Sequence, residues 1–137
     1  MQSAADIAKG ALEQVCSGQK LGRMQSFYSE CFVDHVNGEV HRGFAGIESS
    51  VSLYRRLLAG LRIDVLEQLT EGERVACRFV VIGSCWGKSV KIDGITISRL
   101  KDGRIIEDWS VTDSLSLFRQ LGFWRCVFVA TKRLFLR

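Results

Sequence analysis

The chain has 137 residues, of which 47% are hydrophobic and 25% charged, and it contains no proline. This length suits a single domain, and the apolar content is too high for a disordered chain. Five of the 19 basic residues follow Asp113 with no acid among them, so the net charge of +4 comes from the C-terminal segment. The other basic residues are interleaved with acids and lack an aromatic platform, which argues against nucleic-acid binding.

Targeting and cysteine signals are weak. No apolar stretch reaches the roughly 18 residues of a membrane span, and the N-terminus reads as an amphipathic helix, so we expect a cytoplasmic protein. The five cysteines are scattered and form neither a CxxC pair nor a Cys/His cluster, which predicts no structural disulfide and no metal site. The glycines form no phosphate-binding loop, so no cofactor is expected.

Helical spacing dominates the first half of the chain. Apolar residues recur at helical intervals over 4–16, with Ser3 as the candidate cap, and a second short helix is expected over 21–31. The stretch FVDHVNGEVHRG is interpreted as an irregular, partly extended connection. A third helix is predicted over 44–58, which makes three helices before the first long strand.

From Leu61 onward the sequence is rich in β-branched residues and is interrupted by glycines. The segments RIDVLEQLTE, RVACRFVVIGSCWG and SVKIDGITISRLKDGRIIEDWSVTD are predicted to form strands, with KDGR as a hairpin turn. A short helix is expected to begin at Ser114. Helices followed by antiparallel strands predict an α+β domain whose curved sheet covers a helical layer.

The segments EGERVACRFVVIGSCWG, GITISRLKDGRIIEDWSVTD and LFRQLG have an order and spacing that resembles SnoaL-like polyketide cyclases, over about residues 5–122. The resemblance implies a cone-shaped α+β barrel, shared with ketosteroid isomerase and nuclear transport factor two. In this fold, N-terminal helices pack in the concave side of a mostly antiparallel sheet around an apolar pocket. The resemblance divides the chain into a cone-fold domain at 1–122 and an apolar, basic extension at 123–137. It also implies that the protein binds a small apolar ligand and forms a homodimer.

In the family that the chain resembles, the last strand usually carries a His, a Trp and then an Asp that serves as general acid/base. These places here read Asp108, Trp109 and Ser110. Ser110 cannot act as a base without an activating partner. Because strand side chains alternate, Asp108, Ser110 and Thr112 are predicted to face the pocket, which makes Asp108 the candidate base.

Each of these assignments has a structural alternative. Asp108 is otherwise a solvated acid or a partner for Arg104. The further Asp113 is interpreted as a helix N-cap rather than a catalyst. Ser110 and Thr112 are candidate hydrogen-bond donors to an enolate.

His35 resembles part of the family's Asp-His pair at the pocket rim, and it is a candidate for relaying protons or orienting a carbonyl. Its alternative is a loop histidine with one backbone hydrogen bond, and His41 is interpreted as structural. Four more residues are candidate pocket walls, each with core packing as the alternative: Tyr54, Cys85, Trp86 and Trp109.

The resemblance implies proton abstraction next to the carbonyl of an apolar cyclic or polyketide-like compound, leading to isomerisation or cyclisation. Because the family's usual Asp is absent, two other hypotheses stay open. One is a non-catalytic ligand-binding or dimerisation domain, and the other is an epoxide-hydrolase-like hydrolase. The tail at 123–137 is interpreted as packing across the sheet or a partner subunit, in preference to contact with a membrane.

Overall fold

A computed structural model describes residues 1–122 together with Val127 and Thr131. The predicted C-terminal extension therefore lies outside the described residues, apart from those two. The helices are α1 (Ala4–Gly10), continued by a π-helical segment (Ala11–Cys16), a 3-10 turn (Leu21–Arg23), α2 (Met24–Phe27), α3 (Gly43–Leu57) and α4 (Ser114–Leu121). The strands are β1 (Tyr28–Val36), β2 (Glu39–Arg42), β3 (Ala59–Glu71), β4 (Arg74–Cys85), β5 (Lys88–Lys101) and β6 (Arg104–Thr112).

The six strands form one curved, unclosed sheet in the order β2-β1-β6-β5-β4-β3. All neighbouring strands are antiparallel except β1 and β6, which run parallel near the end of the sheet. The predicted α+β class, with helices against a mostly antiparallel sheet, is confirmed. The parallel pair matters most for the site, because it brings the DHV segment of β1 beside the DWS segment of β6.

Polar side chains fix the first helix across the sheet. Ser3 and Asp6 form a capping box at the start of α1, an arrangement that satisfies backbone N–H groups without an intrahelical partner. Farther along, Oε1 of Glu13 accepts a hydrogen bond from the backbone N–H of Val65 at 3.1 Å. Val65 precedes a bulge in β3, where the ladder leaves backbone groups available. The helix is thereby held over the concave face.

The hairpin predicted at KDGR joins β5 to β6, with Lys101 opposite Arg104. Its two turn residues, Asp102 and Gly103, both have positive φ angles, 52° and 74°. Such a turn twists in the same sense as the strands that it connects, which explains the Asp-Gly sequence.

Two expectations about the first half of the chain are wrong. The second helix ends at Phe27, and the sequence YSECFVDHV forms β1 instead of helix and irregular connection. The segment EVHR forms β2, so FVDHVNGEVHRG is mainly a β-hairpin rather than an irregular connection. Pairing with β6 supplies the hydrogen bonds of β1, so tertiary contacts determine its conformation. The short helix expected at Ser114 is confirmed, and Asp113 caps it by accepting a hydrogen bond from the backbone N–H of Ser116 at 3.0 Å.

The hydrophobic core fills the space between the helices and the concave side of the sheet. Its most deeply buried members come from all layers: Val15, Phe27, Phe32, Val51, Val75 and Ile105. Within the part of the chain that the structure describes, the cysteines at 16, 31, 77 and 85 are free thiols. None of the described helices has the length and hydrophobicity needed to cross a lipid bilayer.

Candidate functional site

The concave side of the sheet borders a cavity whose empty space, counted together with the open solvent at its mouth, is about 630 Å³. The walls are mainly apolar and come from the first helical segment, α3 and strands β1, β3 and β4: Leu12, Phe32, Val36, Ile47, Val51, Ile63, Phe79 and Val81. The polar groups of the lining are concentrated on β1 and β6.

A row of polar residues crosses the sheet at this wall. Asp34 of β1 is directly opposite Asp108 of the parallel strand β6. Asp34 is also opposite His41 of β2, and Asp108 is opposite Ser98 of β5. Side chains at directly opposite positions lie on the same face of a sheet and close to one another. The row therefore runs from the edge strand β2 to the buried strand β5.

Asp108 is the most buried acid of this row, with only 6% of its surface exposed. Burial, and to a smaller degree the neighbouring Asp34 carboxylate, raise its pKa from 3.8 to about 8, although a hydrogen bond from Ser98 opposes the shift. Its burial contradicts the alternative of a solvated acid. Arg104, the other alternative partner, donates instead to the backbone carbonyl of Gln25 at 3.0 Å.

Asp34 is partly buried and lies in the cavity lining. Burial raises its pKa to about 6, while the positive charges of His41 and, to a smaller degree, His35 oppose the shift. Within the described part of the chain, the Oδ1 atoms of Asp34 and Asp108 are buried without a hydrogen-bond partner. Near neutral pH, Asp34 is therefore mainly ionised and Asp108 mainly protonated.

A phenol and a thiol border the carboxyl pair. The hydroxyl of Tyr28 lies 3.2 Å from Sγ of Cys16, and both residues line the cavity. Burial is the main reason that the pKa of Tyr28 lies well above 10 and that the pKa of Cys16 is raised to about 12. Both groups therefore stay neutral, and the phenol retains a proton that it can donate.

Ser110 and Thr112 also line the cavity, together with Tyr54 of α3. The Ser110 hydroxyl donates to Oγ1 of Thr96 at 2.7 Å. The hydroxyl of Thr112 accepts a hydrogen bond from the side-chain amide of Asn37 at 2.8 Å. The Ser110 proton is thus already used within the protein.

Four residues of the predicted site lie outside the set of described residues that line the cavity. His35 and Trp109 occupy the opposite face of the sheet, where their rings stack with centroids 5.6 Å apart. On that face, Nε2 of His35 is 2.9 Å from Oε1 of Glu107. Cys85 is buried in the core, and Trp86 is half exposed at the turn between β4 and β5.

Asp34 and His41 are not among the site residues that the sequence predicts. One signal for Asp34 was present, because Phe32, Asp34 and Val36 alternate as they do on one face of a strand. Once β1 is recognised as a strand, Asp34 shares its inward face with two apolar residues. No set of three or more His, Cys, Asp or Glu side chains in the described chain has the geometry to hold a metal ion.

Comparison with known proteins supports this architecture. The family model of the SnoaL-like polyketide cyclases matches residues 6–121. IdmH from Streptomyces antibioticus, described as a candidate polyketide cyclase, is 20% identical, with 89% of this chain and 100% of that chain covered and a TM-score of 0.79. A Bacillus cereus protein of the same description is 26% identical, with coverages of 87% and 78% and a TM-score of 0.73.

A third similar structure comes from Catenulispora acidiphila and has a ketosteroid isomerase-like fold in complex with trimethylamine. It is 14% identical, with 86% of this chain and 93% of that chain covered and a TM-score of 0.75. Among curated proteins there is no match to the chain. Because the family model matches most of the sequence, the chain belongs to the SnoaL-like polyketide cyclase family.

Proposed function

We propose that the protein is a cofactor-independent acid/base catalyst that removes a proton next to the carbonyl of an apolar cyclic or polyketide-like compound. The family and fold support a small-molecule activity of the cyclase or isomerase type. The observation that carries the proposal is the pair of carboxyl groups of Asp34 and Asp108, each with one buried oxygen, side by side at the wall of an apolar cavity.

The two carboxyl groups have environments that separate their roles. Asp34, with a pKa of about 6, is mainly ionised at neutral pH and is the base in this proposal. Asp108, with a pKa of about 8, keeps its proton and donates a hydrogen bond to the carbonyl oxygen. The sequence alone suggested Asp108 as the base. We assign that role to Asp34 because Asp108 is more deeply buried and has the charge of Asp34 beside it.

The reaction follows from this arrangement. The C–H bond next to the carbonyl breaks, the proton moves to Asp34, and the electron pair forms an enolate. The enolate oxygen accepts hydrogen bonds from the carboxylic acid of Asp108 and the phenol of Tyr28, donors that stabilise the developing charge in an apolar site. Return of the proton to another carbon gives isomerisation, whereas attack of the enolate carbon on a second carbonyl gives cyclisation.

The test is deuterium incorporation from heavy water into a panel of enolisable ketones and β-keto esters, followed by mass spectrometry. We expect incorporation with the wild type, and a loss of about 100-fold or more in Asp34→Asn. Asp64→Asn is the matched control, because Asp64 is a partly exposed acid of β3 that pairs with Arg62. Wild-type protein that exchanges no compound of the panel would contradict the catalytic proposal and favour a ligand-binding protein.

A further inference from the structure

The polar row has one end near solvent. His41 lies on β2, the edge strand of the sheet, and its side chain retains 23% exposure. Asp34 lies directly across the antiparallel ladder from it, and Asp108 lies one strand farther in. Both acids line the cavity, whereas His41 is outside its described lining.

The side chain of His41 points to the same face as Asp34. Paired residues share a face, and the exposed Val40 between Glu39 and His41 occupies the other one. The pKa of Asp34 supports this placement. The positive charges of two histidines lower that pKa, and the effect of His41 is larger than that of His35. An imidazole has two ring nitrogens, so it can accept a proton from one side and release a proton to the other.

Two acids among the described residues face His41. Its Nε2 atom is 3.6 Å from Oε2 of Glu39, whose side chain is 64% exposed. The acid Asp34 faces it from β1, and the one acid of α3, Glu48, is exposed. On the α3 side, the backbone of His41 is close to Gly46, where an added Cβ would be 2.9 Å from the His41 carbonyl carbon. This close approach shows that β2 packs against α3.

We propose that His41 carries protons between solvent and Asp34, as a positioning and relay residue that need not touch the substrate. The inference rests on the proposed function. In the forward step the substrate proton, held as the carboxylic acid of Asp34, passes to neutral His41 directly or through one water molecule, leaving the carboxylate and an imidazolium. The imidazolium then releases the proton to bulk water, and the reverse sequence brings in a solvent proton.

The first test uses 3-cyclohexen-1-one in heavy water, with its conversion to the conjugated ketone followed by ultraviolet absorption and the deuterium content of the product by mass spectrometry. Without a relay, the abstracted proton returns to the substrate before it exchanges. We expect His41→Gln to give several-fold less deuterium per molecule of product than the wild type, at whatever rate it converts the ketone. His35→Gln is the matched control, because His35 lies on the other face, paired with Glu107.

Rescue separates a relay from a structural effect. We expect added imidazole to restore the deuterium content with His41→Ala, since free imidazole can perform the same transfer. Unchanged deuterium content in both His41 variants would overturn the relay. An equal loss in His35→Gln would overturn it too, because that residue lies on the opposite face of the sheet.

A second test needs no turnover and remains decisive if the wild type does not convert the ketone, a result that would count against the proposed function. Carbon-13 NMR of the aspartate carboxyl groups follows the titration of Asp34 directly. We expect His41→Gln to raise the pKa of Asp34 above about 6, and by more than His35→Gln does. If His41→Gln raises the pKa of Asp34 no more than His35→Gln does, the inference is overturned. It is also overturned if His41→Gln raises this pKa but the variant still converts the ketone with the wild-type deuterium content in its product.

Discussion

Asp34 and Asp108 occupy directly opposite positions on the two strands that pair in parallel, and each has one buried carboxylate oxygen without a hydrogen-bond partner among the described residues. Parallel strands are about 4.8 Å apart, so two carboxylates at this spacing cannot both be ionised in an apolar cavity at low cost. The pair therefore retains about one proton near neutral pH. A group that can accept a proton and a group that can donate one consequently stand side by side.

The pH dependence of catalysis should reflect this division. The base Asp34 must be ionised, so kcat/KM should rise as pH increases through about 6. The donor Asp108 must be protonated, so kcat/KM should fall as pH increases through about 8. In Asp108→Asn the falling limb should disappear, because the amide does not titrate. A falling limb that persists in this variant would assign it to another group.

Stability should also depend on the buried acid, and the sign follows from its raised pKa. Between its ordinary value of 3.8 and about 8, Asp108 binds its proton in the folded state but not in the unfolded state. The folded state is therefore favoured at low pH and loses this advantage as pH rises. Between pH 3.8 and about 8, we expect the free energy of unfolding to fall by roughly a few kcal/mol more in the wild type than in Asp108→Asn.

The free energy of unfolding is measured by urea titration at a series of pH values, and Glu107 provides the opposite control in these experiments. Hydrogen bonds from Arg99 and then His35 lower its pKa in the folded state. Its contribution to stability is present above its ordinary pKa and is lost as pH falls, so Glu107→Gln should change the profile only at the acidic end. A parallel change in the Asp108 and Glu107 variants would contradict the account of Asp108.

Tyr28 is expected to contribute as a neutral donor. Tyr28→Phe removes the phenol hydroxyl. The thiol of Cys16, which contacts that hydroxyl, remains but is only a weak hydrogen-bond donor. We predict a loss of about 10- to 100-fold in the rate of deuterium exchange with little change in KM, because the hydrogen bond strengthens as charge develops on the carbonyl oxygen. Ser110→Ala should reduce the rate by less than tenfold, since that hydroxyl already donates to Thr96. Equal losses in the two variants would contradict this difference.

The shape of the cavity depends on a glycine. A Cβ added at Gly94 would lie 2.5 Å from Cζ of Phe79, whose ring lines the cavity. Gly94→Ala should therefore displace that ring, cost about 1–3 kcal/mol of stability and change the size of ligand that is accepted. Urea unfolding and competition between ketones of increasing ring size would measure both effects. Unchanged selection by size would show that Phe79 moves away from the ligand.

The sequence predicts most strands of the sheet correctly. It predicts less well which residues the fold brings together at the site. Alternation along β6 correctly places Asp108, Ser110 and Thr112 on one face and Val111 on the other, and the turn at Asp102 follows from its Asp-Gly pair. These features depend on local rules.

The pairing of β1 with β6 is not a local property. Paired residues of the two strands, such as Asp34 and Asp108, are 74 positions apart in the chain, and the residues of β1 by themselves indicate a helix or a loop. The sequence pattern therefore does not single out Asp34, and it predicts the neighbouring His35 at the pocket, although the register places His35 beside Trp109 on the outer face. A shift of one residue along a strand exchanges the two faces, so site residues on an unrecognised strand cannot be predicted reliably.

The central claim concerns the protonation of one pair of acids, and carbon-13 NMR of aspartate carboxyl groups measures it without any ligand. Spectra of the wild type recorded across pH, with signals assigned through Asp34→Asn and Asp108→Asn, should show two titrations near pH 6 and pH 8. Titration of both groups near pH 4 would mean that the pair is solvated and independent, and would contradict the assignment of a base and a donor at this site.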